Sequence, residues 1–98
     1  MATNLPKVTK GESFTKNYEV SGVSLQDAKI EFNVKHQGKL VLSKFVGDGI
    51  TITNKSLGLF RIDPFRVNLK QGAYHYEIFI TLGEETKRYA YGVWIIGN

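Results

Sequence analysis

Residues 69–80, Leu-Lys-Gln-Gly-Ala-Tyr-His-Tyr-Glu-Ile-Phe-Ile, decide the fold. From Tyr74 to Ile80 every second residue is aromatic or aliphatic, which is the period of one face of a β-strand. Gly72 stands just before them, where a turn into the strand needs a residue that tolerates a positive φ. The spacing Leu-x-x-Gly-x-Tyr-x-Tyr predicts either a tyrosine corner, in which the Tyr74 hydroxyl bonds upstream backbone, or an ordinary aromatic core strand. Either interpretation makes this a central strand.

Similar short segments, separated by glycines, fill the rest of the chain. The predicted strands are residues 5–10, 13–20, 28–36, 40–46, 50–53, 59–62, 74–80 and 87–96. Turn signals every eight to twelve residues are typical of an immunoglobulin-like sandwich. We therefore predict an all-β, immunoglobulin-like antiparallel β-sandwich of seven to nine short strands, formed by residues 1–98 as a single domain with almost no helix. A small barrel is the alternative.

Several residues disturb the alternation. Pro6 confines the first strand to an edge, and Asp63-Pro64 is expected to end the sixth, because proline cannot donate to a ladder. Lys16 falls on the apolar face of the second strand, where it either snorkels at the rim or marks a bulge. In the fourth strand, Leu40 and Leu42 are expected on one face, opposite Val41 and Phe45.

The amino-acid composition and net charge limit the classes of function that the chain can have. The 98 residues are 42% hydrophobic and 22% charged, as in a folded globular chain, and they include no cysteine. We expect no transmembrane helix, since no apolar run reaches about 18 residues, and no signal peptide, since Met1–Lys10 has no apolar core. The net charge is +4, from 13 basic and 9 acidic residues. The basic residues are scattered, which favours a solvated surface over a nucleic-acid interface.

Catalytic and metal-binding constellations are missing from the sequence. His36 and His75 have no second histidine or cysteine at metal-ligand spacing. The chain contains no Gly-x-Ser-x-Gly elbow, and Glu84-Glu85 occupies a turn where neighbouring carboxylates point apart. Gly47-Asp48-Gly49 lacks the Gly-Lys-Ser/Thr ending of a phosphate loop. We predict a protein that is not an enzyme and uses no metal and no cofactor.

Two sets of residues alternate along the last predicted strand. One set is Tyr89, Tyr91, Val93 and Ile95, and the other is Ala90, Trp94 and Ile96. If Trp94 and Ile96 face the core, the first set lies on the outer sheet face. It is then joined by His75 and Phe79 of the preceding strand. The candidate interface is therefore His75, Phe79, Tyr89, Tyr91, Val93 and Ile95. Exposed apolar stripes are typical of protein interfaces and of sugar-stacking platforms.

Two alternatives to this stripe remain open. A bulge at Gly92 would change the register and let both sets share the core. The last strand could also associate through its backbone edge, because last strands often lie at sheet edges.

The order of segments along the chain carries a resemblance. The segments are Leu5–Phe14, ending Lys-Gly-Glu-Ser-Phe; Leu25-x-Asp-Ala-Lys-Ile-Glu-Phe-Asn-Val-Lys35; Gly47-Asp-Gly-Ile-Thr-Ile-Thr-Asn54; Gly58-Leu-Phe-Arg-Ile62; Gly72-Ala-Tyr-His-Tyr-Glu-Ile78; and Tyr91-Gly-Val-Trp-Ile-Ile96. Together they resemble a family of small phage virion domains, similar to the N-terminal domain of baseplate upper proteins. The resemblance covers nearly the whole chain, and its motifs are structural.

The resemblance implies an immunoglobulin-like domain that acts as a phage virion structural protein, either capsid cement or decoration or a tail or baseplate adaptor. Its implied partners are other phage structural proteins and further copies of itself. The implied location is the virion, after synthesis in the host cytoplasm. The alternative function is a carbohydrate-binding or host-surface attachment module that stacks Tyr89, Tyr91 or Trp94 on a glycan. Nucleic acid and membranes are not expected partners.

Three departures from the family modify the expectation. Lys16 stands where an apolar residue is expected, and the loop Asp63–Lys70 is short for the family. The larger relatives continue into a receptor-binding or coiled-coil region, and the sequence shows none after residue 98. This favours a cement, decoration or connector role over direct host recognition.

Overall fold

Eight β-strands and no helix make up residues 3–98, which are the residues that the computed structural model describes. The strands are β1 (Val8–Thr9), β2 (Ser13–Glu19), β3 (Lys29–His36), β4 (Lys39–Val46), β5 (Gly49–Asn54), β6 (Leu59–Arg66), β7 (Gly72–Leu82) and β8 (Glu85–Gly97). The all-β prediction of seven to nine short strands is confirmed.

The strands form one mixed sheet in the order β1-β8-β7-β3-β4-β5-β6-β2. Within residues 3–98, only two residue pairs join β4 to β5: Phe45 with Gly49, and Val46 with Ile50. At this point the chain passes from one layer of the sandwich to the other. The larger layer is β1, β8, β7, β3 and β4, and the smaller layer is β5, β6 and β2. The arrangement β8-β7-β3-β4 over β2-β6-β5 is that of an immunoglobulin-like sandwich. The sheet is not wholly antiparallel, because β1–β8 and β4–β5 are short parallel pairings.

The core lies between the two layers. Strand β7 is central, since it pairs with β3 on one side and β8 on the other. The centre of the core is the ring of Trp94, which is fully buried and lies 4.8 Å from Phe14 of the smaller layer and 6.2 Å from Phe32 of β3, measured between ring centroids. Leu25, in the loop after β2, is also fully buried.

Strand β6 passes through Pro64, so the expected stop at Asp63-Pro64 is wrong. The pairing of β6 with β5 ends at Ile62, and on its other side β6 faces a bulge in β2 between Phe14 and Lys16. Among the described residues, 3–98, no neighbouring strand therefore requires an N–H donor at Pro64, and proline is tolerated there. The Thr15 hydroxyl donates a 2.6 Å hydrogen bond to the Ile62 carbonyl across the bulge.

Both interpretations of Lys16 apply. The bulge lies between Phe14 and Lys16, and the half-buried Lys16 side chain extends along the rim. Its ammonium nitrogen lies 5.4 Å from the centre of the Tyr18 ring. The lysine is thus accommodated by local geometry and by contact with an aromatic face.

Two further expectations need correction. The first strand was expected to be residues 5–10, but only Val8–Thr9 pairs as a strand. In the fourth strand, Leu40 and Leu42 lie on opposite faces. A register shift between Val34 and Lys35 of β3 places Val41 at a bulge, between the paired residues Leu40 and Leu42. Leu42 packs against the core, whereas Leu40 is 56% exposed.

Candidate functional site

A bulge in β8 determines which residues reach the outer face of the larger layer. Ile78 of β7 pairs with Ala90, but the next residue, Phe79, pairs with Arg88, so the register of β8 shifts by one residue at Tyr89. Beyond the bulge, Trp94 and Ile96 are fully buried. Tyr91, Val93 and Ile95 therefore point to the outer face. The bulge expected as an alternative at Gly92 lies three residues earlier.

Five of the six candidate interface residues share this outer face. They are His75, Phe79, Tyr91, Val93 and Ile95. Val93 lies opposite His75 on β7, and Ile95 lies opposite Ala73. The Ile95 side chain is 40% exposed, His75 is exposed, and the other three are partly exposed. The predicted stripe is thus present along β8 and β7, with one member missing.

The missing member is Tyr89, which the bulge turns toward the core instead of the outer face. Its ring packs edge-on against Tyr18 and Phe60, each with centroids 6.1 Å away. Its hydroxyl donates a 2.7 Å hydrogen bond to the Glu19 carbonyl. Burial, and secondarily the Glu19 carboxylate, raise the pKa of the Tyr89 hydroxyl above its ordinary value. Tyr89 therefore closes one side of the sandwich.

The centre of the outer face is charged. The Glu77 carboxylate forms ion pairs with the Arg88 guanidinium at 3.2 Å and with the Lys35 ammonium at 3.6 Å. The Arg88 guanidinium carbon also lies 3.9 Å from the centre of the Tyr91 ring, a cation–π contact. These ion pairs are partly exposed, so their contribution to stability is small. The apolar stripe is interrupted by this ion-paired cluster.

A second apolar strip borders the same face on β4. Phe45 pairs across the ladder with Glu31, and Leu40 pairs with Lys35, so both belong to the outer face. Phe45 is 44% exposed, and Val41 and Val46 of the same strand are also exposed. The sequence pattern did not predict this strip. Because β4 has apolar residues at successive positions, its pattern does not show which of them face the core.

The outer face of the smaller layer is polar by contrast. The Thr51 hydroxyl donates a 2.8 Å hydrogen bond to Asp63, and the Arg61 guanidinium pairs with the same carboxylate at 3.1 Å. Asn17 lies beside Arg61, extending this polar surface onto β2. The two outer faces of the sandwich are therefore chemically different.

Tyr74 makes the hydrogen bond by which a tyrosine corner is defined. Its hydroxyl donates to the Lys70 carbonyl, four residues upstream, at 2.7 Å. The His36 ring packs against it with centroids 4.8 Å apart, and His36 Nδ1 lies 3.3 Å from the Ala73 carbonyl. The contact ties the turn before β7 to the end of β3.

Within residues 3–98, no cluster of three or more His, Cys, Asp or Glu side chains could hold a metal ion. A groove of about 350 Å³ opens at one end of the sandwich, between the loop after β2 and the β7–β8 hairpin. Its lining includes four aliphatic residues: Val20, Val23, Ile80 and Leu82.

Within residues 3–98 there is no helix with the length and hydrophobicity that crossing a bilayer requires.

The sugar-stacking alternative loses two of its three aromatic candidates. Trp94 is fully buried, and its indole N–H donates a 3.1 Å hydrogen bond to the Pro6 carbonyl. Tyr89 packs at the edge of the core. One face of the remaining ring, Tyr91, is covered by Arg88.

Neither a family model nor a curated protein sequence matches this chain.

Proposed function

We propose that the chain is a non-enzymatic phage virion structural protein that docks on other virion proteins through the outer face of the larger layer. On this proposal it serves as capsid cement or decoration, or as a tail or baseplate adaptor. It is made in the host cytoplasm and resides in the virion, as part of a homo-oligomer. The phage assignment rests on the resemblance of the sequence segments, and the docking assignment rests on the surface.

The observation that supports docking is the asymmetry between the two outer faces. The smaller layer presents hydroxyl, guanidinium and carboxylate groups that bond one another. The larger layer presents Phe79, Tyr91, Val93 and Ile95, with Leu40 and Phe45 on its far side. Partly exposed aromatic and aliphatic side chains around satisfied charges resemble a protein interface more than an ordinary solvated sheet face.

The charges on this face favour a protein partner over nucleic acid. Lys35 and Arg88 are both within ion-pair distance of Glu77, whose carboxylate offsets one of their two positive charges. A nucleic-acid surface needs unpaired cations in a stripe or patch to release counterions from phosphates. The excess of basic residues that gives the net charge of +4 is distributed along the chain.

The test is substitution of the face followed by a measurement of assembly. Tyr91→Asp and Val93→Asp place a carboxylate among the partly exposed apolar residues without touching the core. Asn17→Asp is the matched control, because it adds a carboxylate to an exposed position of the polar face, opposite Arg61. We expect both face variants to stay folded by circular dichroism and to lose oligomer formation by light scattering and capture of virion proteins, while the control retains both. Assembly that survives both face substitutions would overturn the proposal.

A further inference from the structure

The N-terminal arm, defined here as residues 3–9, lies in a groove along β8. The Thr3 and Leu5 amides donate to the Tyr91 and Val93 carbonyls at 2.8 and 3.1 Å. At the end of the arm, Val8 and Thr9 pair in parallel with Ile96 and Gly97. The arm thus runs along the edge of the larger layer, and its last two residues form β1.

Side chains of the groove also bind the arm. The Tyr76 hydroxyl donates to the Thr3 carbonyl at 2.5 Å, and the Trp94 indole donates to the Pro6 carbonyl. Leu5 is the one arm residue that is fully inserted, at 5% exposure, while the flanking Asn4 and Pro6 are exposed. Every one of these bonds joins the arm to β7 or β8, and none joins one part of the arm to another.

The turn that follows the arm has its own bonds, both within itself and to neighbouring segments. The Lys10 amide donates to the Gly97 carbonyl at 2.9 Å, and the Gly11 amide donates to the Val67 carbonyl at 2.8 Å. Glu12 holds the turn: its amide donates to the Thr9 carbonyl at 3.0 Å, and its carboxylate accepts from the Thr9 amide at 2.6 Å. Gly11 sits in the turn at φ +93°. If the turn opened, these bonds and the contacts of its backbone would be lost, but the groove contacts could be remade with an identical arm from another molecule.

We propose that the N-terminal arm exchanges between copies, so that the groove along β8 binds the arm of a second copy and the turn at Gly11 is the hinge. Exchange of an identical element is a low-cost route to a dimer, because each intramolecular contact is replaced by the same intermolecular one. A short tether holds the arm at an effective concentration on the order of millimolar. The closed monomer therefore predominates in dilute solution. Exchange requires a protein concentration at or above that range, because opening the turn also loses the bonds of the turn. This association uses a different surface from the outer-face docking proposed above.

The hinge can be tested with a matched pair of glycines. Gly11 and Gly38 both have positive φ, +93° and +81°, and an added Cβ would meet nothing within 4 Å at either position. A Gly11→Val substitution lowers the population of the closed turn about tenfold relative to the open one, because valine is disfavoured at positive φ. The open hinge adopts an extended backbone that does not carry this penalty. Because a dimer has two hinges, we expect the dimer dissociation constant of Gly11→Val to fall about a hundredfold. Gly38→Val carries the same backbone penalty in the β3–β4 hairpin and should associate like the natural chain.

Light scattering over a concentration series, after slow annealing, measures this difference. A Gly11→Val protein that is folded and as monomeric as Gly38→Val overturns the proposal. Cross-linking then identifies the contact, since the chain has no cysteine of its own. Asn4 is beside Val93, whose amide donates to the Asn4 side chain at 3.2 Å.

In the cross-linking experiment, Asn4→Cys and Val93→Cys chains are mixed and oxidised, with Asn4→Cys and Thr51→Cys as the control mixture. Arm exchange predicts a mixed disulfide in the first mixture well above the control, with a yield that rises in the Gly11→Val background. Equal yields in the two mixtures, or a yield that does not respond to the hinge substitution, overturn the proposal. Should Gly11→Val not fold, the same comparison in the natural hinge at high protein concentration decides between these outcomes.

Discussion

The carbonyl group of Thr3 lies where a side chain at Gly92 would have to be. A Cβ built on Gly92 would overlap that carbonyl oxygen and would approach the Tyr76 ring at 3.2 Å. The obstacle is backbone on one side and a fully buried aromatic ring on the other, so neither can move cheaply. Gly92 is therefore needed for the close approach of the N-terminal arm to β8, and not for a bulge or a turn.

Gly92→Ala should displace the start of the arm. The Thr3 amide and carbonyl would lose their bonds to Tyr91 and Tyr76, and we expect the free energy of unfolding to fall by about 1–3 kcal/mol. Urea denaturation measures that loss, and amide hydrogen exchange at residues 3–5 locates it. Gly47→Ala is the control, because a Cβ there meets nothing within 4 Å and only the positive φ is penalised. Unchanged exchange at residues 3–5 would contradict this role of Gly92.

Tyr18→Phe should stabilise the protein. The Tyr18 hydroxyl is buried and makes no hydrogen bond within residues 3–98. A buried polar group without a partner costs about 1–3 kcal/mol, so its removal should raise the free energy of unfolding by roughly 1 kcal/mol. Tyr76→Phe is the matched variant with the opposite sign, since that hydroxyl bonds the Thr3 carbonyl. Denaturant titration of both variants checks the prediction, and a loss of stability in Tyr18→Phe would refute it.

The alkaline limit of stability should depend on the same tyrosine. Burial, reinforced by the nearby Tyr76 and Tyr89, raises the pKa of Tyr18 well above its ordinary value. In the unfolded chain the hydroxyl has a pKa of about 10. As the pH rises past about 10, the unfolded state binds fewer protons than the folded state, so stability falls with increasing pH. Below that pH both states are protonated and the effect is absent.

Unfolding free energies measured in urea between about pH 8 and pH 11 test this linkage. Tyr18→Phe should lose stability less steeply over the alkaline part of the range than the natural chain. Tyr76 and Tyr89, whose pKa values are also raised by burial, leave a residual slope in both proteins. Parallel curves for the two proteins would show that Tyr18 does not titrate on unfolding.

The two-residue period of the sequence was enough to predict the architecture. The alternation in β3 and β7 is uninterrupted, and both strands lie in the middle of the larger layer with partners on each side. Because a strand with two neighbours cannot slip without moving its whole apolar set into water, its pattern determines its orientation. In β8 the same period leaves open which of its two alternating sets faces the core, and the structure places Trp94 and Ile96 there.

The residues that could not be predicted lie at bulges. A bulge adds one residue and reverses the alternation beyond it, and no composition signal distinguishes Tyr89 at the bulge from Tyr91 two residues later. The same effect separates Leu40 from Leu42 in β4. The contribution of Glu77, Lys35 and Arg88 to the outer face was missed for a related reason. Their proximity follows from cross-strand register, which periodicity within one strand does not give.

Lys44 should protect the edge of β4 against association. Within residues 3–98, β5 pairs with β4 only at Phe45 and Val46, which leaves the edge from Lys39 to Lys44 without a strand partner. That edge lies beside the exposed apolar strip of β4. The half-buried Lys44 side chain points inward, with its ammonium nitrogen 4.6 Å from the Phe65 ring centre. An inward-pointing charge is a recognised obstacle to edge-to-edge pairing, because a second strand would bury it.

Lys44→Met tests this protection, with Lys39→Met as a control that removes the same charge from an exposed position of the same strand. The lysine contributes a cation–π contact of about 0.5–1 kcal/mol, so we expect the free energy of unfolding to change by no more than about 1 kcal/mol. Self-association is expected to change more. Light scattering should show concentration-dependent aggregation for Lys44→Met and none for Lys39→Met at the same concentrations. If both variants remain monodisperse, the edge is protected by the Val41 bulge and its twist, and not by the charge of Lys44.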